Sequence, residues 1–386
     1  MKNRMLFPLG KAYGAAFCNR ESEIEDLIGN FQSGKHTLLI APRRYGKSSL
    51  AEKAIEVSGY PFARINFHLC MSEQEVSDLV TDHMIKLIGS AIGPVEKIMQ
   101  QIKKYVSHFE PLLSFGNELA SLKLAPKRQG ENPAVLITEA LLLLEKLLKE
   151  KGQKAVLFLD EFQEISRISN NHQLEGAFRT AAQEMTHLSI IFSGSIRSLL
   201  LSMFEDESRP LYKLCRKIKL ERIEFEKYEK HIQKIAKKSF GETLSPEVFQ
   251  EIMRLSNRHP YYVNYLCDEI WARCEKSEKL PSVSEVQNAW LSVLEEEWSD
   301  ALKELSVLPM GQRKVLSHIA KSQSHQSESM PSLLSHEVGK KIDLPASSAA
   351  TAINSLLERD YIERNPGQSY EIINPLLLSV LQGALS

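Results

Sequence analysis

The chain is poor in cysteine and has no two of them spaced for a metal. Cys18, Cys70, Cys215, Cys267 and Cys274 are scattered and odd in number, without a C-x-x-C pair. That excludes a zinc ribbon and offers no disulfide framework, so the five read as reduced thiols of a cytoplasmic protein. No apolar run approaches the ~18 residues of a membrane span, and the opening MKNRMLFP lacks the apolar stretch of a signal peptide. Neither charge sign is in excess: the formal net charge is −1. This excludes nucleic-acid binding by bulk electrostatics and leaves only a local patch for that purpose. Internal repeats are absent as well. What remains is an ordinary globular composition, 43% hydrophobic and 25% charged over 386 residues, enough for two or three domains with sizeable cores.

The chain divides into three parts. Residues 1–220 alternate short apolar strands with helical segments, the pattern of a parallel sheet wound by helices. Strands are expected at 36–40, 62–67, 155–159, 188–193 and 216–220, and helices at 72–92 and 134–151. The stretch 100–133 shows no clean period and reads as an irregular excursion over the sheet. Residues 221–300 hold no convincing strand and read as a small helical lid domain. Ser245 followed by Pro246, and Ser282 with Glu285 three residues on, predict two helix starts there. Residues 301–386 order themselves as helix 309–320, a polar loop, helix 331–342, a turn at 343–345, helix 346–359 and a hairpin turning at 365–367. That order is a winged helix-turn-helix.

Residues 41–48, APRRYGKS, fit the phosphate-binding loop G-x-x-x-x-G-K-[ST], with Ala41 in place of the first glycine. A leucine-rich strand precedes the motif and a helix start follows it, the context the chemistry requires. The loop, Ala41 through Ser49 with Pro42, Arg43, Arg44 and Tyr45, would wrap a phosphate with its N–H groups, aided by the helix dipole. Gly46 is expected to let the backbone approach closely. Lys47 would reach the β- and γ-phosphates, and Ser48 would ligate Mg²⁺. About a hundred residues later, AVLFLDEFQ at 155–163 reads as a central strand ending in two carboxylates. In open α/β sheets ligands bind at those strand ends. Asp160 would hold Mg²⁺ through water, and Glu161 would polarise the attacking water. Together the two motifs imply that ATP and ADP are bound.

Taken along its length, the sequence resembles the archaeal-type ATPase family, a branch of the STAND group of AAA+-related P-loop ATPases. The resemblance is carried by FCNRESEIEDL at 17–27, PRRYGKSSL at 42–50, DEFQ at 160–163, FSGS at 192–195, RPLY at 209–212, RHPY at 258–261 and YEIINP at 370–375. Two positions depart from the family's pattern: Ala41 for glycine, and Asn257 where glycine is expected, although asparagine also tolerates the left-handed conformation. The resemblance implies that Ser195 senses the γ-phosphate or the attacking water. It implies that Pro260 sits over the nucleotide base and that Arg258 reaches the phosphates. An arginine finger is expected among Arg179, Arg197, Arg209 and Arg216, with Arg209 favoured because it opens a family landmark. Tyr13 and Phe17 read as core packing, with an adenine pocket as the alternative.

The winged-helix segment is electrostatically neutral, with eight Lys/Arg and eight Asp/Glu over 303–386. Ser347, Ser348, Thr351 and Asn354 could meet base edges, but Arg359 stands between Glu358 and Asp360, and only Lys340 and Lys341 lie nearby. Phosphate contacts demand Lys or Arg, so DNA is not favoured by charge. Three readings follow. The first is a nucleotide-controlled switch that hydrolyses ATP slowly, forms a homo-oligomer in the ATP state and signals to a partner protein. The second is a DNA-associated AAA+ ATPase, initiator- or transposition-adaptor-like. The third is a non-hydrolysing nucleotide-binding module, disfavoured by the intact Asp160 and Glu161. Because the sequence stops after the winged helix, any effector is expected to be a separate protein.

Overall fold

The computed structural model describes residues 6–93, 95–115, 120–169, 171–274, 279–324, 343–364 and 369–383. Two compact units emerge. One comprises Arg20–Arg43 and Lys47–Leu220; the other comprises Met1–Asn19, Arg44–Gly46 and Glu221–Ser386.

In the first unit, five strands form a parallel sheet: β1 (Thr37–Ile40), β2 (Phe62–Asn66), β5 (Ala155–Asp160), β6 (Leu188–Ser193) and β7 (Arg216–Lys219). Their order is β2-β5-β6-β1-β7. The three inner strands are buried at every residue, whereas edge strands β2 and β7 keep alternate or terminal residues in solvent. That is the expected signature of a sheet covered on both faces. The expected strands and helices of this unit are therefore present, the helices as Glu73–Ile92 and Pro133–Lys151. Ser72 and Asn132 cap those helices by accepting from Glu75 N and Ala134 N, each cap stabilising by about 1 kcal/mol.

The stretch 100–133 differs from expectation. It contains the end of the helix Val95–Tyr105 and an antiparallel ribbon of β3 (Phe109–Phe115) and β4 (Ala120–Pro126). Pro111 and Pro126 argue against strands only when a strand lies inside a sheet. In a two-stranded ribbon both strands are edges, and proline is tolerated there. Phe109 and Leu124 anchor the ribbon by joining the core of the sheet unit.

Among its described residues the second unit is helical apart from the short antiparallel pair β8 (Ile362–Arg364) and β9 (Tyr370–Ile372). Ser245 caps Pro246–Leu255, and Ser282 with Glu285 forms a reciprocal capping box on Val283–Ser306, as their spacing predicts. Helices Met310–Ser324 and Ala346–Glu358 flank the turn at Asp343, while the expected helix 331–342 and the turn at 365–367 lie outside the described residues. One apolar core runs through this unit, with Trp271, Trp290, Phe249, Leu316 and Leu356 among its members. Among the described residues no helix is long and apolar enough to cross a membrane.

Candidate functional site

Parallel strands put their carboxyl ends at one edge of the sheet, and the sequence motifs are collected there. β1 runs into the loop at Ala41, β5 ends on Asp160, and β6 leads through Ser193 and Gly194 to Ser195. β6 separates β1 from β5. The helix Lys47–Ser58 starts directly after the loop, so its first N–H groups face whatever the loop holds.

Lys47 donates from Nζ to Ala41 O at 2.9 Å and to Pro42 O at 3.2 Å. The lysine is only 8% exposed, folded against its own loop. Gly46 has φ +86°, and a Cβ there would meet no protein atom within 4 Å. Within the chain its backbone conformation, and not crowding, requires glycine. Arg43 and Arg44 are exposed, and Arg44 also has positive φ.

Ser48 Oγ donates to Asp160 Oδ2 at 3.3 Å. The same oxygen accepts from Arg64 Nη2 at 2.5 Å. Glu161 faces neutral donors instead. Its Oε2 accepts from Ser195 Oγ at 2.7 Å, from Ser195 N at 3.2 Å and from Gln163 Nε2 at 2.7 Å. Burial pushes the Glu161 carboxyl up, but the bonds from Ser195 and Gln163 and the Lys47 charge outweigh it. Its pKa therefore lies below the ordinary value. Glu161 also sits at φ 54°, a left-handed conformation uncommon for glutamate and held here by those bonds. Gly194 makes room for the arrangement: a Cβ there would fall 1.8 Å from Gln163 Oε1.

Arg64 was missed in the sequence, since it belongs to no spacing rule, and Gln163, although part of the DEFQ run, was given no role there. An arginine at an alternate position of an edge strand reads as solvent-facing. Arg209 is not brought to this cluster. It forms an ion pair with Glu175, with Arg209 Nε reaching Glu175 Oε2 at 3.2 Å, and its side chain is 11% exposed. Arg179 donates to Tyr212 O at 2.7 Å. Arg216 pairs in register with Thr37, at the amino end of β1 and thus at the opposite edge of the sheet.

Arg44, Tyr45, Asn257, Arg258, Pro260, Tyr13 and Phe17 belong to the second unit. There Tyr45 stacks edge-on to His259 at 4.8 Å, and the Arg44 guanidinium lies 4.1 Å from the Tyr261 ring centre. Arg222 Nε donates to Tyr45 Oη at 3.3 Å, and its guanidinium is ion-paired with Glu363 at 3.0 Å and with Glu371. Asn257 adopts positive φ as expected, and Arg258 does too. Pro260 opens the helix Pro260–Cys274. Tyr13 is 58% exposed and Phe17 half-buried. Neither is core, because both flank a short 3₁₀ turn at Gly14–Ala16 that packs by Ala16.

Comparison with known proteins bears on the family and the fold. Residues 17–266 match the family described as an ATPase domain predominantly from Archaea. The chain belongs to that family. Its fold is similar to that of a Walker-type ATPase of Pyrococcus abyssi (TM-score 0.65, 18% identity, covering 98% of this chain and 99% of that one). It is also similar to the ORC2 protein of Aeropyrum pernix, solved in ADPNP–ADP complexes (TM-score 0.57, 13% identity, covering 98% and 96%). No curated protein matches the chain. This family member is thus an α/β P-loop protein with a five-stranded parallel sheet.

Proposed function

We propose that this chain binds ATP and hydrolyses it slowly, using the nucleotide to control assembly or signalling to a partner protein. The observation that carries the reading is the convergence of Lys47, Ser48, Asp160, Glu161 and Ser195 at one edge of a parallel sheet. The ADPNP and ADP bound by the similarly folded ORC2 protein support the choice of nucleotide. Lys47 would leave Ala41 O and Pro42 O to hold phosphate, with the backbone of Pro42–Ser49 around it. The hydroxyl–carboxylate pair of Ser48 and Asp160 suits a hard divalent ion, so these two residues would hold Mg²⁺, which would neutralise charge on the phosphates. Glu161, kept ionised at neutral pH, can only accept a proton and so orients water as a base. Ser195 fixes its orientation and would couple it to the occupant of the site. We assign residues 1–220 to the ATPase domain, 221–300 to a lid and 301–386 to a winged helix. Arg258 and Pro260 are proposed to approach the nucleotide from the lid. A finger role for Arg209 requires its pair with Glu175 to open, and a homo-oligomer in the ATP state would supply it in trans.

One observation favours a second reading, a DNA-associated ATPase. Lys227, Lys230, Lys234 and Lys238 line one exposed face of the helix Phe225–Phe240. They give the second unit a cationic stripe that its neutral winged helix lacks, while Ser347, Ser348, Thr351 and Asn354 all stay exposed. Light scattering on Glu161→Gln with ADP or ATP–Mg²⁺, each with and without duplex DNA, separates the two. ATP-driven assembly indifferent to DNA supports the switch. Assembly that needs both supports the DNA reading. A monomer in every condition counts against self-assembly and leaves a protein partner to supply the trigger.

A further inference from the structure

β2 brings to the site a residue that no motif marks. Arg64 pairs with Phe158, and Asn66 with Asp160, so Arg64 stands one pleat from Asp160 on the same face of the sheet. Its Nη2 reaches Asp160 Oδ2 at 2.5 Å and its Nη1 reaches Glu52 Oε1 at 3.0 Å. Glu52 lies on the helix Lys47–Ser58, one turn beyond Ser48, so the two share a helix face. Ser48 Oγ donates to that same Oδ2. Ser48, Asp160, Arg64 and Glu52 therefore close a ring between the loop helix and two strands. Asp160 is nearly buried, with 7% of its side chain exposed, while Arg64 keeps 26%. A carboxylate so buried is costly without a cation beside it. Arg64 is that cation, packed near the face of Phe158 at 5.3 Å.

The oxygen shared by Ser48 and Arg64 is also the one best placed for an ion held jointly by Ser48 and Asp160. A guanidinium and a divalent ion cannot both sit on it, since like charges at contact distance repel strongly in a low-dielectric site. Arg64 must withdraw as the ion enters, and Glu52 offers its guanidinium a second carboxylate to fall back on. Resting on the nucleotide–Mg²⁺ reading above, we propose that Arg64 is the resident counter-cation of Asp160. It competes with the divalent ion for Oδ2 and so sets the ion concentration at which the site fills.

The test is Mn²⁺ binding to the full chain with ADP present, read as free-ion signal by electron paramagnetic resonance. Arg64→Gln removes the competitor and should tighten Mn²⁺ by about tenfold, or 1.4 kcal/mol. Arg64→Lys keeps the charge and should stay near wild type. Glu52→Gln leaves Arg64 undivided on Asp160 and should weaken Mn²⁺. A purely structural arginine would lower the melting temperature without producing these opposite shifts. Unchanged or weaker Mn²⁺ binding by Arg64→Gln overturns the proposal. If that variant does not fold, Glu52→Gln decides alone, and unchanged or tighter binding overturns it. ADP binding without metal is measured in parallel. A wild type that binds neither ADP nor Mn²⁺ sinks the nucleotide reading and this one with it. A wild type that binds both, with no shift in the variants, sinks only the role of Arg64.

Discussion

Two strand ends of the same sheet solve the same problem differently. At the end of β1, Lys47 is satisfied by its own loop, bonding carbonyls five and six residues upstream. At the end of β5, the two carboxylates depend on distant chain: Asp160 on Ser48 and Arg64, Glu161 on Ser195. The first end holds its lysine by contacts within a few residues, even though Arg44 and Tyr45 of the same loop pack on Tyr261 and His259. The second exists only once β2 and β6 have paired with β5. Its geometry should therefore be the more fragile of the two, and its chemistry the more adjustable.

The largest test of that contrast removes the charge from the distant-built end. Glu161→Gln should lower turnover by roughly 10²–10⁴ while ATP binding, measured by calorimetry, persists. Unchanged turnover would move the base elsewhere. Next, Lys47→Ala strikes the local end. Losing two or more charge-assisted bonds to phosphate should weaken ATP by about 3 kcal/mol or more, over 100-fold. Thermal unfolding should stay cooperative, since the hydrogen bonds lost to Ala41 O and Pro42 O lie within the loop itself; retained tight binding would remove the assignment of residues 41–48. A pH effect probes the tip of the same loop, where Tyr45 packs on His259. Burial, reinforced by the Arg222 and Arg44 charges, lowers the His259 pKa to about 3. The unfolded chain, with the ordinary value near 6.5, takes up the proton first as pH falls. This contribution to stability is thus complete above about pH 6.5 and declines between there and about pH 3. By pH 5 the loss is roughly 2 kcal/mol. His259→Gln should flatten that part of the stability profile in urea melts, and an unchanged profile would place the titration elsewhere. The smallest effect is expected for Ser195→Ala. Glu161 keeps its bond from Gln163, so turnover should fall only by about tenfold, near the 1–1.5 kcal/mol of one hydrogen bond. A loss as large as that of Glu161→Gln would mean that Ser195 acts on the substrate directly.

Much of the fold could be read from the residues because its signals are local and redundant. Apolar runs at β1, β5 and β6 fit strands buried on both faces, and Ser245 and Ser282 carry complete capping chemistry within four residues. The β3–β4 ribbon was not legible, because Pro111 and Pro126 break a pattern that only an edge position permits. The burial of Lys47 was not legible either, since it comes from the two loop carbonyls that its ammonium bonds in place of water. Arg64 carried no signal at all. Its meaning comes from a neighbour 96 positions away.

By itself the sequence determined the loop motif, the acidic strand end and the strand–helix alternation, since each is a pattern among residues a few positions apart. Tertiary structure alone decided which partners hold the two carboxylates, and that Arg209 is taken up by Glu175. Charges find their partners by distance in space, and spacing along the chain does not encode that distance until the strand order is fixed.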